Sequence, residues 1–149
     1  MASIDEELKS NFQRPQQRLV ANLMFTAGWM RNRFTDFIKP FGISMPQFNI
    51  LRILRGAGDW VSMSDIKNLM VEKSPNATRL ADKLVDKKLV ERQRSESDRR
   101  VVYLRLSEAG AELLERIDEV DHGQFISFMD VVTDEEARTF SDVLDRIRG

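Results

Sequence analysis

Residues 74–106 constrain the fold of this chain more than any other stretch, because a short helical pattern passes directly into two strand patterns. Ser74-Pro75 is typical of a helix start, since serine caps the first turn and proline there lacks only an N–H that would have no partner. Apolar residues then recur at helical spacing, at Ala77, Leu80, Ala81, Leu84 and Val85. Residues 89–94 and 101–106 are rich in Val, Leu and Tyr and flank a charged turn. We therefore expect a helix followed by a β-hairpin.

The polar side chains of this segment are arranged for two contacts with a nucleic acid. The other face of the predicted helix carries Asn76, Thr78, Arg79, Lys83 and Lys87. The hairpin turn ends in Asp98-Arg99-Arg100, and adjacent arginines repel each other unless negative charge lies nearby. The narrow minor groove of DNA offers such a negative potential. A polar helix beside a basic hairpin is the pattern of a winged helix-turn-helix.

We call residues 44–106, which contain the helix and the hairpin, the lobe. Helix-start signals mark two further helices in the part of the lobe that precedes residue 74. Ser44 and Gln47 read as a capping box that starts one helix, and Ser62 as the cap of the next. Trp60-Val61 is expected to form a short strand that pairs with the hairpin. The side chains predicted to face inward from the Ser62-capped helix are Ile66, Leu69 and Met70.

Two predicted helical regions flank the lobe, and they make the expected fold mainly α with a small β-hairpin wing. Residues 13–41 carry a broad apolar stripe that Pro40 ends, whereas residues before 13 lack a period and are expected either to be frayed or to form a short arm. Residues 107–149 contain two more helices, capped by Ser107 and Thr133. Their apolar stripes are wider than one lobe needs, so we expect both regions to serve as dimerisation helices.

Composition narrows the classes of protein that this chain can represent. The chain has 149 residues, 32% of them charged and 42% hydrophobic, which suits a single folded domain spanning 1–149. With no cysteine and one histidine, His122, we expect neither a metal site nor a cofactor, and the chain lacks the motifs of an enzyme. No apolar run reaches the length of a membrane span and no signal peptide opens the chain. We therefore expect a cytoplasmic protein.

Charge is distributed unevenly although the formal net charge is −1. Residues 72–105 contain ten Lys and Arg against six Asp and Glu, whereas residues 107–149 contain four against twelve. This distribution alone is also compatible with an ordinary solvated surface. Together with the helix and hairpin, it favours one face that meets a phosphate backbone.

Several motifs in residues 76–110 closely resemble those of the MarR family of bacterial transcriptional regulators. They are Asn76-Ala77-Thr78-Arg79-Leu80, Leu84-Val85, Leu89-Val90-Glu91-Arg92, Asp98-Arg99-Arg100 and Leu106-Ser107-Glu108-Ala109-Gly110. The resemblance implies a homodimer joined through first and last helices. It also implies that Arg100 is the wing arginine, oriented by a charge-assisted hydrogen bond that its guanidinium donates to Asp98. The chain departs from the family at Lys88, where Gly is usual and a left-handed backbone costs Lys about 1 kcal/mol.

Candidate DNA-contacting side chains lie on three neighbouring elements. They are Ser64, Ser74, Asn76, Thr78, Arg79, Lys83, Arg94, Asp98, Arg99 and Arg100. Because Asn can bond to adenine and Arg to guanine through two hydrogen bonds, Asn76 and Arg79 are expected to read bases. Lys83 and Ser64 are expected to contact phosphate.

A cluster of apolar side chains in the first long helix is a candidate effector site. Its members are Met24, Phe25, Trp29, Met30 and Phe34. The family resemblance implies that a small aromatic or phenolic compound binds near this cluster. Packing in the core and the dimer interface explains the same residues and is the simpler interpretation.

These observations lead to one principal hypothesis for function. The chain is expected to be a homodimeric, sequence-specific regulator, most simply a repressor, that binds a pseudo-palindromic operator in double-stranded DNA. The alternative is a winged-helix module that binds another protein and not DNA. Steep salt dependence of binding would separate the two hypotheses, because only the first requires many phosphate contacts.

Overall fold

The computed structural model describes residues 2–71, 73, 75–121 and 130–149, and of Asp121 only the backbone. These residues form a largely helical chain with one small sheet. The helices are α1 (Ile4–Leu8), α2 (Pro15–Ile38), α3 (Met45–Ala57), α4 (Met63–Leu69), α5 (Ala77–Asp86), α6 (Glu108–Asp121) and α7 (Asp134–Arg148), with a 3-10 turn at Lys39–Phe41. The strands are β1 (Val61–Ser62), β2 (Val90–Arg94) and β3 (Val102–Leu106). The predicted fold class is confirmed.

The sheet places the hairpin beside the helix-turn-helix. Its strand order is β1-β3-β2 and both pairings are antiparallel, so the short strand predicted at Val61 does pair with the hairpin. Val90 lies opposite Leu106, and Val61 lies opposite Leu104. Val90 and Leu104 are both buried, so the sheet is anchored to the core at its inner face.

The core is shared between the lobe of residues 44–106, which contains α3 to α5 and the sheet, and the following helix α6. Its fully buried side chains come from every one of these helices and include Ile50, Leu51, Leu54, Ile66, Leu84, Leu104, Leu114 and Ile117. From α2 only Ile38, at its end, is buried, and no residue of α7 is buried. The long flanking helices therefore present most of their apolar surface to solvent in the single chain.

The predicted caps start the helices as expected. Ser44 and Gln47 form a reciprocal capping box, and Ser62 accepts a hydrogen bond from the backbone N–H of Asp65. Thr133 forms a second capping box with Glu136, and bonds from its backbone and its hydroxyl lower the pKa of the Glu136 carboxyl. The helix after residue 13 ends before Pro40, as predicted.

The N-terminal segment differs from the expected frayed segment or short arm. Residues 4–8 form α1, which begins with a capping box between Ser3 and Glu6 and packs against α2. Ile4 is buried, and the Asp5 carboxylate lies 2.8 Å from the Nε of Arg18. A cap, one buried side chain and an ion pair thus order a segment too short to show a period.

Two further predictions within the helix-turn-helix were wrong. Leu69 is 60% exposed and does not face inward, because α4 ends at that residue. The helix after the turn begins at Ala77 with Asn76 at the N-cap position, so Pro75 lies before the helix and not in its first turn. Ser74 and residues 122–129, which include His122, lie outside the described residues.

Lys88 adopts the left-handed backbone that its position was expected to require. Its φ is 60°, its N–H donates to the Val85 carbonyl at 2.9 Å, and the N–H of Leu89 donates to the Leu84 carbonyl at 3.0 Å. These two bonds satisfy carbonyls at the end of α5 and turn the chain into β2. A side chain is therefore held in a conformation that glycine would adopt freely.

Lys88→Gly should raise the free energy of unfolding by about 0.5–1 kcal/mol, because it removes the steric penalty of the left-handed backbone. Urea unfolding followed by circular dichroism measures this change. Asp86→Gly, at the right-handed last residue of α5, is the matched control and should change the same free energy by less than about 0.5 kcal/mol, because the small loss of helix propensity is opposed by the removal of a negative charge from the helix C-terminus. A loss of stability in Lys88→Gly would contradict this account.

Within the described ranges, no helix combines the length and the hydropathy needed to cross a bilayer. The same residues contain no group of three or more His, Cys, Asp or Glu side chains close enough together to hold a metal ion.

Candidate nucleic-acid interface

Helix α5 buries one face and exposes a polar one. Ala77, Ala81 and Leu84 are buried against the lobe, whereas Thr78, Arg79 and Lys83 are exposed. Arg79 and Lys83 form no ion pair with any described residue. Their cationic groups are therefore available to a ligand that approaches this face.

Local hydrogen bonds fold the tip of the hairpin. The Asp98 carboxylate accepts from the backbone N–H of Arg100 at 3.0 Å, and the Asp98 carbonyl accepts from Val101 at 2.9 Å. The hydroxyl of Ser95 accepts from the N–H of Asp98, and Arg94 donates to the Arg99 carbonyl at 3.4 Å. These bonds define a compact turn from which the side chains of Arg99 and Arg100 project into solvent.

The bond expected between Asp98 and the Arg100 guanidinium is replaced by the bond to the Arg100 backbone. Among the described residues the guanidinium groups of Arg99 and Arg100 have no carboxylate partner. Asp98 therefore shapes the loop without forming an ion pair with either guanidinium. The carboxylate takes the nearest N–H because the turn brings it there, as in an Asx-turn.

Helix α4, helix α5 and the hairpin enclose a shared cleft of about 670 Å³. Ser64 of α4, Thr78 of α5 and Arg100 of the hairpin all line it. The two elements singled out in the sequence thus meet at one concave surface. Lys67 and Tyr103 line the same cleft and were missed; Lys67 follows Ser64 by three residues on one helix, a spacing that could have identified it.

Ion pairs attach the hairpin to its surroundings. The Arg92 guanidinium lies 2.9 Å from the Asp82 carboxylate, which joins β2 to α5. On β3, Arg105 pairs with Glu91 across the hairpin at 2.5 Å, and its guanidinium lies 4.7 Å from the centre of the Trp60 ring. Exposed pairs of this kind contribute little each, but they hold the hairpin from two sides.

The candidate effector residues lie along α2 and line no part of that cleft. Met24, Phe25 and Trp29 are 72%, 39% and 44% exposed, whereas Met30 and Phe34 are half-buried. The Arg33 guanidinium stacks 5.1 Å from the centre of the Trp29 ring. An apolar surface flanked by a cation is therefore open in the single chain.

Comparison with known proteins agrees with this geometry. Residues 43–102 match the model of the MarR family. The uncharacterized HTH-type transcriptional regulator YpoP of Bacillus subtilis is 29% identical over 79% of this chain and 82% of its own length. A MarR transcription factor from Planctomyces limnophilus superposes with a TM-score of 0.70 at 27% identity, covering 93% of this chain and 98% of that one. A mutant MarR of E. coli, solved in complex with operator DNA, superposes with a TM-score of 0.73 at 22% identity, covering 92% and 99%.

A polar helix and a basic hairpin at one cleft, within this fold, define a winged helix-turn-helix regulator of transcription that binds DNA. Residues 43–102 form a MarR-family domain, and the chain is similar to transcriptional regulators over most of its length.

The role of Asp98 can be tested by comparing two substitutions. Asp98→Asn keeps an oxygen that accepts from the Arg100 N–H and should bind DNA at least as tightly as the wild type, since it also removes a negative charge. Asp98→Ala removes the acceptor and should weaken binding by about fivefold, the equivalent of one hydrogen bond. Fluorescence anisotropy with labelled DNA measures both. Equal losses in the two variants would mean that the charge of the carboxylate matters more than its bond to the backbone.

Proposed function

We propose that two copies of this chain bind one pseudo-palindromic operator, each placing α5 in the major groove and the hairpin in the adjacent minor groove. The observation that carries this proposal is the shared cleft, because Thr78 and Arg100 reach it from different elements. A duplex is a ligand that presents two grooves and a phosphate backbone to such a surface. The bound dimer acts as a repressor of the genes beside its operator.

Individual side chains have distinct roles in this proposal. Arg79 and Asn76, at the start of α5, read base edges, since the N-terminal residues of such a helix lie deepest in the groove. Thr78, which lines the cleft, contacts the DNA beside these two residues. Phosphate is held by Lys83, Ser64 and the N-terminal end of α5 near Ser74. The hairpin arginines Arg94, Arg99 and Arg100 follow the backbone and the minor groove, with Asp98 shaping their loop.

Dimerisation through α2 and α7 accounts for the apolar surface that the single chain leaves exposed. On α2, Leu19, Val20 and Leu23 are 41%, 50% and 37% exposed. On α7, Phe140 and Ile147 are 56% and 55% exposed. Burying large side chains of this kind contributes roughly 25 cal/mol for each Å² removed from water. A second copy of the same two helices supplies a matching apolar surface by symmetry.

A small aromatic or phenolic effector that binds against Met24, Phe25, Trp29, Met30 and Phe34 would relieve repression. The support for this part is the exposed aromatic surface of Trp29 with Arg33 stacked on it, which suits a flat ligand. The alternative, dimer packing of the same residues, leaves no room for a ligand. Calorimetric titration of the protein with salicylate and with catechol separates the two, because packing alone predicts no heat of binding.

Arg100→Ala should weaken operator binding by roughly tenfold or more and reduce the slope of log K against log salt by about 0.9 if the lost contact is to phosphate. The melting temperature should not change, because the guanidinium contacts no described carboxylate. Binding measured by anisotropy across a salt series tests both quantities. The DNA is the site that the wild-type protein selects from a random library.

Arg116→Ala is the matched control for this experiment. Arg116 is exposed on α6, away from the cleft, and its loss changes the net charge by the same amount. If both substitutions weakened binding equally, the effect would be one of overall charge and the hairpin would have no direct contact. A shallow salt slope for the wild type would favour the protein-binding module instead.

Phe140→Asp should dissociate the dimer and abolish tight operator binding, since the substitution places a charge in an apolar interface in both copies and costs roughly 2 kcal/mol or more. Sedimentation equilibrium measures the mass and anisotropy measures the binding. The control is Ala57→Asp, an exposed position at the end of α3. A dimer that survived Phe140→Asp would contradict an interface built on α7.

A further inference from the structure

Gln47 is the one buried polar side chain among the described residues, with 5% of its surface exposed. It lies in the first turn of α3, within the capping box that follows α2. Burying an amide is unfavourable unless its donors and acceptor form hydrogen bonds. The partners of the Gln47 amide therefore indicate why a glutamine is present at this position.

The amide of Gln47 connects two elements. Its Oε1 accepts from the backbone N–H of Ser44 at 3.0 Å, and its Nε2 donates to the carbonyl of Leu80, in the middle of α5, at 3.4 Å. The first partner is a donor and the second an acceptor, so only one orientation of the amide satisfies both. The Leu80 carbonyl can accept this bond beside its helical one because it has two lone pairs.

A second polar contact connects the same corner with the end of α5. The ammonium of Lys87 donates to the carbonyl of Gly42, in the connection between α2 and α3. Both contacts therefore run from the corner that follows α2 to the helix that presents Thr78 and Arg79. Both donate to backbone carbonyls, so their geometry depends on where the two helices lie and not on the rotamer of a second side chain.

Apolar packing restrains the start of α5 less than its end. At the start, the buried residues Ala77 and Ala81 have small side chains that interlock little, whereas Leu84 is fully buried further along and Leu80 and Val85 pack against the core. Burial of apolar area is non-directional, whereas a hydrogen bond restricts both distance and angle. A directional bond to the middle of α5 supplies the restraint that the alanines lack.

We infer that Gln47 is a positioning residue that fixes α5 relative to the end of α2, and thereby the distance between the two α5 helices of the dimer. The inference rests on the proposed binding of a homodimer to a two-part operator. In that complex a recognition helix that shifts within its own lobe still fits one half-site. It fits two half-sites at a set spacing less well, because both copies must be in register with the duplex at once.

Gln47→Met removes both side-chain bonds of the amide at nearly constant volume and tests this inference. The probes are the duplex selected by the wild-type protein, the same duplex with one half scrambled, and duplexes whose half-sites lie one base pair closer or further apart. Binding of the two-part site should weaken at least fivefold, about the factor for one hydrogen bond, while binding of the single half changes less than about twofold. Preference among the spacings should also become weaker. Melting curves set the temperature at which every variant is fully folded.

Ser44→Ala is the matched control, because it removes the hydroxyl that caps α3 and leaves the Gln47 bond to Leu80 in place. It should lower the melting temperature yet keep the wild-type ratio of two-part to single-half binding. If Gln47→Met weakens both probes by one factor, or if Ser44→Ala changes the ratio equally, Gln47 serves only the stability of the lobe. If the wild-type protein itself binds the two-part duplex and the half-scrambled duplex equally well, the proposed binding as a homodimer is wrong. That outcome is distinct from a failure of the inference about Gln47.

Discussion

Burial of the apolar face of α5 is the interaction on which the rest of this structure depends. Ala77, Ala81 and Leu84 seat the helix against the lobe, and their small size at two of three positions lets the backbones approach closely. Because that face is buried, the polar side chains of Thr78, Arg79 and Lys83 on the opposite face are exposed. The hairpin is then connected to the same helix through the ion pair between Arg92 and Asp82. If the apolar face of α5 were not buried, the cleft would be lost, and with it the surface that identifies the protein as a DNA-binding regulator.

Attraction of this chain to DNA depends on where its charged side chains lie and not on its net charge. A net charge of −1 gives no general attraction to DNA. The carboxylates near the cleft have partners within the protein: Asp82 pairs with Arg92, Asp65 accepts from the Ser62 hydroxyl, and Asp98 accepts from a backbone N–H. Arg79, Lys83, Arg99 and Arg100 have no such partner among the described residues, so positive potential concentrates on the face that a duplex would meet. The acidic region of residues 107–149 repels a polyanion and so favours its approach to this face.

Much of the fold could be predicted from local signals, because caps and stops act within a few residues. Ser44 with Gln47, Ser62, Ser107 and Thr133 each start the helix that they were expected to start. The left-handed backbone of Lys88 was also predictable, since a helix that turns at once into a strand needs such a residue.

The failed predictions concern features that tertiary contacts decide. Helix α1 has five residues, too few for a period, and depends on Ile4 and on Asp5 with Arg18. The partner of Asp98 depends on how tightly the loop turns, which spacing does not reveal. The same holds for Gln47: its capping role is local and was predicted, whereas its bond to Leu80 joins residues that are 33 positions apart. Which of the exposed cations read bases stays a prediction.

The length of α2 has a mechanical consequence. Its 24 residues extend about 36 Å at 1.5 Å per residue. If α2 moves as a rigid body, a tilt of about 5° at one end of the helix displaces its other end by roughly 3 Å, close to the rise of one base pair. Because α2 leads directly to the corner that contacts α5, a small tilt of α2 near Trp29 would, in the proposed dimer, move the two α5 helices out of register with the duplex.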